Sequence, residues 1–149
     1  MKRSLGILAA LYLAMSASSA LAHHNHLAYY DQCKSVTIEG RVDSVSFTDP
    51  HVKIVLKLDD GSTYTVDWMT PNNLRRNGIL EPAEKALAPG ARVSVVGAPI
   101  RTAAEIRGYL PDFTREVTAT TIDATLIRRV DDSFRWARPP QNPELCKDR

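Results

Sequence analysis

The chain has 149 residues with 19 Lys+Arg against 17 Asp+Glu; its first 22 hold two of the bases and no acid, so the other 127 balance at 17 against 17. That length suits one compact domain with a real core and is too short for two. A neutral domain lacks the basic footprint of a nucleic-acid binder, which sets that partner aside.

Lys2 and Arg3 precede an apolar stretch from Leu5 to Met15, and Ala20-Leu21-Ala22 has the small-x-small form of a signal peptidase site. The apolar run is about half the ~20 residues that span a bilayer. Cleavage after Ala22 and a periplasmic or secreted address are therefore expected, with no integral membrane segment later in the chain. The expected organisation is a signal peptide over 1–22, a histidine-rich segment over 23–34, a barrel domain over 35–137 and a proline-rich tail over 138–149. Cys33 and Cys146 are the only cysteines. In an oxidising compartment such a pair forms one disulfide, or, as the rival reading, two thiols that help bind a metal.

The strands come next. Ser35–Phe47 alternates with Val36, Ile38, Gly40 and Val42 on one side, and the phase changes near Asp43-Ser44, which predicts a bulge. Asp49–His51 reads as a turn around Pro50. His51–Leu58 alternates again, with Val52, Ile54, Leu56 and Leu58 inward; Asp59–Ser62 is a hairpin turn, and Thr63–Trp68 returns as a third strand. Thr70–Gly78 and Glu81–Leu87 read as two short helices, each with a proline in its first turn. Helical content is expected to lie mainly in that insert. Ala88–Pro99 is a Pro-Gly turn and a fourth strand, Arg101–Phe113 reads as loop, and Arg115–Val130 as a long β-rich run. The three prolines of Arg138–Arg149 exclude regular structure there.

Three strands in meander, a helical insert and two more strands predict an all-β fold, a small five-stranded OB-like barrel with a short helical insert after the third strand. An SH3-like barrel or an open sandwich is the alternative. Val93, Val95 and Ile122, with Val66 and Leu74, complete the predicted core.

Several segments resemble a family of small exported bacterial proteins catalogued as a domain of unknown function. They are His23-His24, Gly40-Arg41-Val42, Asp49-Pro50-His51-Val52, Tyr64-Thr65-Val66-Asp67, Pro71 to Gly78, and Pro89 to Gly97. The resemblance covers His23 to Gly97. The chain departs from the family pattern in Asp49 for Asn, Tyr64 for Trp, Asp67 for Glu and Ile79 for an aromatic residue. The resemblance implies an OB-like barrel and a periplasmic address, and it supplies no activity.

No nucleophile elbow, phosphate loop or paired-cysteine zinc signature occurs, so no enzyme is expected. The adjacent acids Asp59-Asp60 and Asp131-Asp132 fall in a hairpin turn and at a strand end. His23, His24 and His26 are the sharpest chemical feature. Cleavage after Ala22 would give an amine and imidazoles within four residues, a set suited to copper or zinc. The competing reading is an exposed terminus left by export. His51 follows Pro50 at a strand start and is expected to point outward. There it either holds the turn through Asp49 or joins the histidine cluster, whose shell His51 or a carboxylate such as Asp31 would complete. Tyr64, Trp68 and Trp136, with Arg75 and Arg76, are candidates for a face that binds a small ligand or a periplasmic partner protein; alternatively Trp68 caps the core against Leu74 and Leu80. A ligand- or partner-binding module is the first functional reading and a copper- or zinc-binding protein the second.

Overall fold

The computed structural model describes residues 26–139 and Cys146. The element order is α1 (His26–Tyr29), β1 (Val36–Ser46), β2 (Lys53–Lys57), β3 (Thr63–Asp67), α2 (Pro71–Arg76), α3 (Leu80–Ala86), β4 (Arg92–Pro99), α4 (Ala103–Tyr109), β5 (Thr121–Arg129) and β6 (Arg135–Ala137). β1 is the longest strand at 11 residues, and its two ends serve different neighbours. Val36 to Arg41 pair with β4, and Arg41 to Ser46 pair with β2. β2 and β3 form the hairpin, and β3 closes on β5 in parallel through Thr65, Val66 and Asp67 opposite Thr121, Ile122 and Asp123. The ring β1-β2-β3-β5-β4 is a closed five-stranded barrel of OB type, with the helical insert between its third and fourth strands.

Two local features let β1 and β4 coil that far. The β1–β2 register slips between Val42 and Ser44, so Asp43 is the extra residue of the predicted bulge. Gly40 lies against the facing strand so closely that a Cβ would stand 2.8 Å from the Lys57 carbonyl oxygen. Gly97 plays the same part on β4, at a second register slip, with the Asp123 carbonyl 2.6 Å from where a Cβ would be.

The interior is a single cluster in which Val42, Val52, Ile54, Leu56, Val66, Val93, Val95, Ile122 and Ile127 are buried. Val36, placed inward by its alternation, is only partly buried, because the strand end lies at the barrel rim. The insert plugs one opening. Thr70 caps α2 by accepting from the Asn73 amide, Gly78 takes the positive φ that ends it, and Leu74, Ala83 and Leu87 enter the core.

Three expectations need correction. Arg101–Phe113 is not all loop, because α4 starts there on a reciprocal capping box between Thr102 and Glu105, and it buries Ile106. The last long strand begins at Thr121 rather than Arg115, at the point where its backbone first meets both β3 and β4. A sixth strand, β6, adds to β5 and brings Trp136 and Phe134 onto the core, where both rings meet Trp68 edge to face. With α1 and α4, helix also extends beyond the insert. Among the described residues no helix is long and apolar enough to cross a membrane.

The segment before β1 is strapped to the barrel. Tyr30 bridges Ile100, the Asp31 amide donates to the Pro99 carbonyl, and Arg101 donates its backbone amide to Tyr29 and its side chain to Leu27. Cys33 is disulfide-bonded to Cys146, 113 residues away. The link holds Cys146 to the segment before β1, where Gln32 reaches Asp123 of β5.

Candidate functional site

At the β3–β5 closure a set of polar side chains converges on a cavity of about 590 Å³. Asp67 and Asp123 are direct partners across the parallel pair β3–β5, so the topology itself sets two carboxylates side by side. Asp123 is completely buried. Arg138, just past β6, grips it with two parallel hydrogen bonds of 2.9 Å, and Gln32 donates to it at 3.2 Å. Burial alone would raise the Asp123 pKa, but the hydrogen bonds from His26 and Arg138, with the Arg138 charge, bring it down to about 2. Asp67 receives the Tyr30 hydroxyl and lies 3.8 Å from the Lys53 ammonium. Burial first, then the negative charge of Asp67, push the Tyr30 phenol far above its ordinary range, so it stays protonated and donates to Asp67.

The two histidines sit on this foundation. His26 directs Nδ1 at Asp123 Oδ2 at 3.2 Å, and its Nε2 lies 3.3 Å from Nε2 of His51. A carboxylate accepts only, so His26 carries a proton on Nδ1, and its other ring nitrogen, Nε2, faces His51. The rings meet edge to face with centroids 4.9 Å apart. Burial lowers the His51 pKa, as does the nearby His26, and the charges of Asp67 and Asp123 only partly oppose this.

Arg138 and His26 form one side of the cavity, and Pro50 and His51 another. Trp68, Met69 and Thr70 line the rest, with Asp49 and Asn73. Trp68 and Met69 together oppose Val52: the Trp68 amide donates to the Val52 carbonyl, and the Val52 amide donates to the Met69 carbonyl. Two residues against one is a bulge pattern, and it turns consecutive side chains toward one cavity. The Trp68 indole Nε1 is buried and has no hydrogen-bond partner among the described residues.

The structure therefore brings together two of the four predicted metal ligands, His26 and His51. His23 and His24 lie outside the described residues. Among the described residues no group of three His, Cys, Asp or Glu side chains is placed to hold a metal ion. His51 points to His26 instead of holding the turn through Asp49. Asp31 is taken up by Lys34 and Arg101, and the carboxylate that meets a histidine is Asp123. The predicted ligand face does not assemble. Trp68 is completely buried in the core beside Leu74, and Tyr64 is partly buried against it. Arg75 and Arg76 are exposed on α2, where Arg75 lines a separate cavity with Gly78, Leu80, Glu81 and Pro82. Sequence reading missed Asp123, Asp67, Tyr30, Arg138 and Met69. The available signal was an acid inside each of two apolar runs, at Val66-Asp67-Trp68 and Ile122-Asp123-Ala124, since acids are rarely buried unless paired.

These features belong to a small closed β-barrel with an imidazole pair over a buried carboxylate. A model for a family of unknown function (DUF6152) matches residues 10–108, and the chain belongs to that family. No curated protein matches. Among solved structures the chain is similar to the Stn1–Ten1 complex of S. pombe at 14% identity and a TM-score of 0.43, over 66% of this chain and 59% of that one. It is also similar to the aspartyl tRNA synthetase of Entamoeba histolytica at 18% identity and a TM-score of 0.43, over 72% of this chain and 20% of that one.

Proposed function

We propose that this is an exported, non-enzymatic barrel protein that binds a transition-metal ion through His26 and His51. The observation that carries the reading is the 3.3 Å between the two Nε2 atoms, above a His26 ring fixed by Asp123. Metal–nitrogen bonds of about 2.0–2.1 Å at the tetrahedral angle hold two ligand nitrogens about 3.3–3.4 Å apart. The rings thus already stand at the spacing of two ligands on one ion, once His51 carries its proton on Nδ1. The carboxylate on the far nitrogen of His26 is the partner that orients metal-binding histidines. The export signal supports a periplasmic address, and the neutral charge balance supports a reading without nucleic acid.

The test compares copper and zinc affinity in three samples: the folded protein, a free peptide spanning His23 to Gln32, and the His51→Ala protein. At least tenfold tighter binding by the folded protein, lost with His51, is expected. Equal affinity in all three would make the cluster a sticky terminus left by export.

A second reading is favoured by the unpartnered Trp68 indole N–H at the same cavity. A small molecule with a hydrogen-bond acceptor would satisfy that donor, as in a ligand-binding module. Binding of such a molecule unaffected by His51→Ala and by chelator would place this reading first.

A further inference from the structure

We infer that the ion is copper(I), with the Met69 thioether as a ligand beside His26 and His51; this rests on the metal-binding reading above. Met69 is the only methionine after Met15. It stands at the bulge where β3 leaves the barrel, on the cavity that His26 and His51 also line. A bulge was not needed to bury Trp68, since the alternation from Val66 already turns that residue inward. Its effect is to bring the next side chain, Met69, to the cavity as well.

The donor chemistry selects among metals. Asp123 is taken up by Arg138 and His26, while Asp67 meets Tyr30 through one oxygen and its other oxygen, 3.8 Å from Lys53, has no hydrogen-bond partner among the described residues; neither carboxylate lines the cavity. The cavity is lined by the two imidazoles and Met69, with Asp49, Thr70 and Asn73 as the neighbouring oxygen-bearing side chains. Thioether sulfur is a soft ligand that selects copper(I), whereas zinc sites are usually completed by thiolate, carboxylate or a further imidazole. A filled d shell gives copper(I) no preferred geometry of its own, so a pair of imidazoles at tetrahedral spacing suits it. The apolar wall of Pro50 and Trp68 also costs a monovalent ion less desolvation than a divalent one.

The experiment titrates copper(I) under anaerobic ascorbate against bicinchoninate, and zinc(II) against a colorimetric chelator. It uses the purified protein and its Met69→Leu and His26→Ala/His51→Ala variants. Leu keeps the volume of Met, and a thermal melt checks that the variant folds. Met69→Leu is expected to weaken copper(I) at least tenfold and to leave zinc(II) within about twofold. Copper K-edge absorption on the unaltered protein supplies a readout that needs no variant: a sulfur shell beside nitrogen is expected, and it should vanish in Met69→Leu. A nitrogen-only shell, or copper(I) affinity unchanged in Met69→Leu, overturns the inference and leaves the imidazole site standing. If the double histidine variant binds both metals as tightly as the unaltered protein, the metal reading itself fails, and this inference with it.

Discussion

Asp123 is the residue on which the site and the fold meet, and Asp123→Asn tests both. The carboxylate is completely buried, receives two hydrogen bonds from Arg138, and holds Nδ1 of His26. A fall in pKa from 3.8 to about 2 corresponds to about 2.5 kcal/mol of preference for the ionised form in the folded state. Removing one partner of a buried pair costs about 3–5 kcal/mol. Arg138 keeps some contact with water, its side chain being 23% exposed, which places the expected loss near the lower figure, at about 2–3 kcal/mol. The sign follows from proton binding. The folded state holds this proton more weakly than the unfolded chain, so the contribution is complete above pH 3.8 and is lost as pH falls toward 2. Urea unfolding at pH 7 and at pH 2–3 measures both quantities. Asp123→Asn should unfold at lower urea than the unaltered protein at pH 7, and the gap should narrow in acid. Equal stability at pH 7, or a gap independent of pH, would refute the picture of an ionised Asp123 clamped by Arg138.

Replacing Cys33 and Cys146 by Ser opens a loop of more than 100 residues, and the chain-entropy model expects a loss of up to about 4.7 kcal/mol, read by thermal melting with and without reductant. Leu56→Ala removes a completely buried side chain from the barrel wall and should cost about 2–5 kcal/mol in urea; a loss under about 1 kcal/mol would contradict its place in the core. Because the folded state holds the His51 proton more weakly than the unfolded chain, stability is unaffected by this group above about pH 6.5 and is lost progressively as pH falls from there through the lowered folded value. His51→Ala should therefore flatten the stability profile just below pH 6.5. Intact mass of the exported protein should show a chain beginning at His23 and lighter by two hydrogens for the disulfide; alkylation of both cysteines without reductant would count against it.

The barrel was legible because its strands alternate cleanly, Val52, Ile54 and Leu56 being the plainest run, and because the phase change at Asp43 marks the bulge. α4 was missed although Thr102 and Glu105 have the spacing of a capping box, because the helix is short and follows a loop-like Pro99 to Arg101. β6 has three residues, too few for any period to register. The site was half legible. His26 and His51 stood out by residue type, but the pairing of Asp67 with Asp123 depends on a parallel register between strands more than 50 residues apart. No local pattern encodes that register. Trp68 was ambiguous for a similar reason, since an aromatic at a strand end belongs equally to a groove or to a core until its neighbours are known.

The order of dependence in the site follows from which groups are fixed by the fold and which are added to it. Asp67 and Asp123 are placed by backbone pairing at the barrel closure, so their positions are as firm as the barrel. Arg138 and His26 are then drawn to Asp123 from opposite ends of the chain, past β6 and before β1, and the Cys33–Cys146 link holds those two segments together. His51 and Met69 come from the β2 and β3 ends that the same closure brings alongside. Under the proposed metal-binding reading, ligands held this way would lose little freedom when an ion arrives, and that prior ordering is the expected source of an affinity above that of a free histidine-rich peptide.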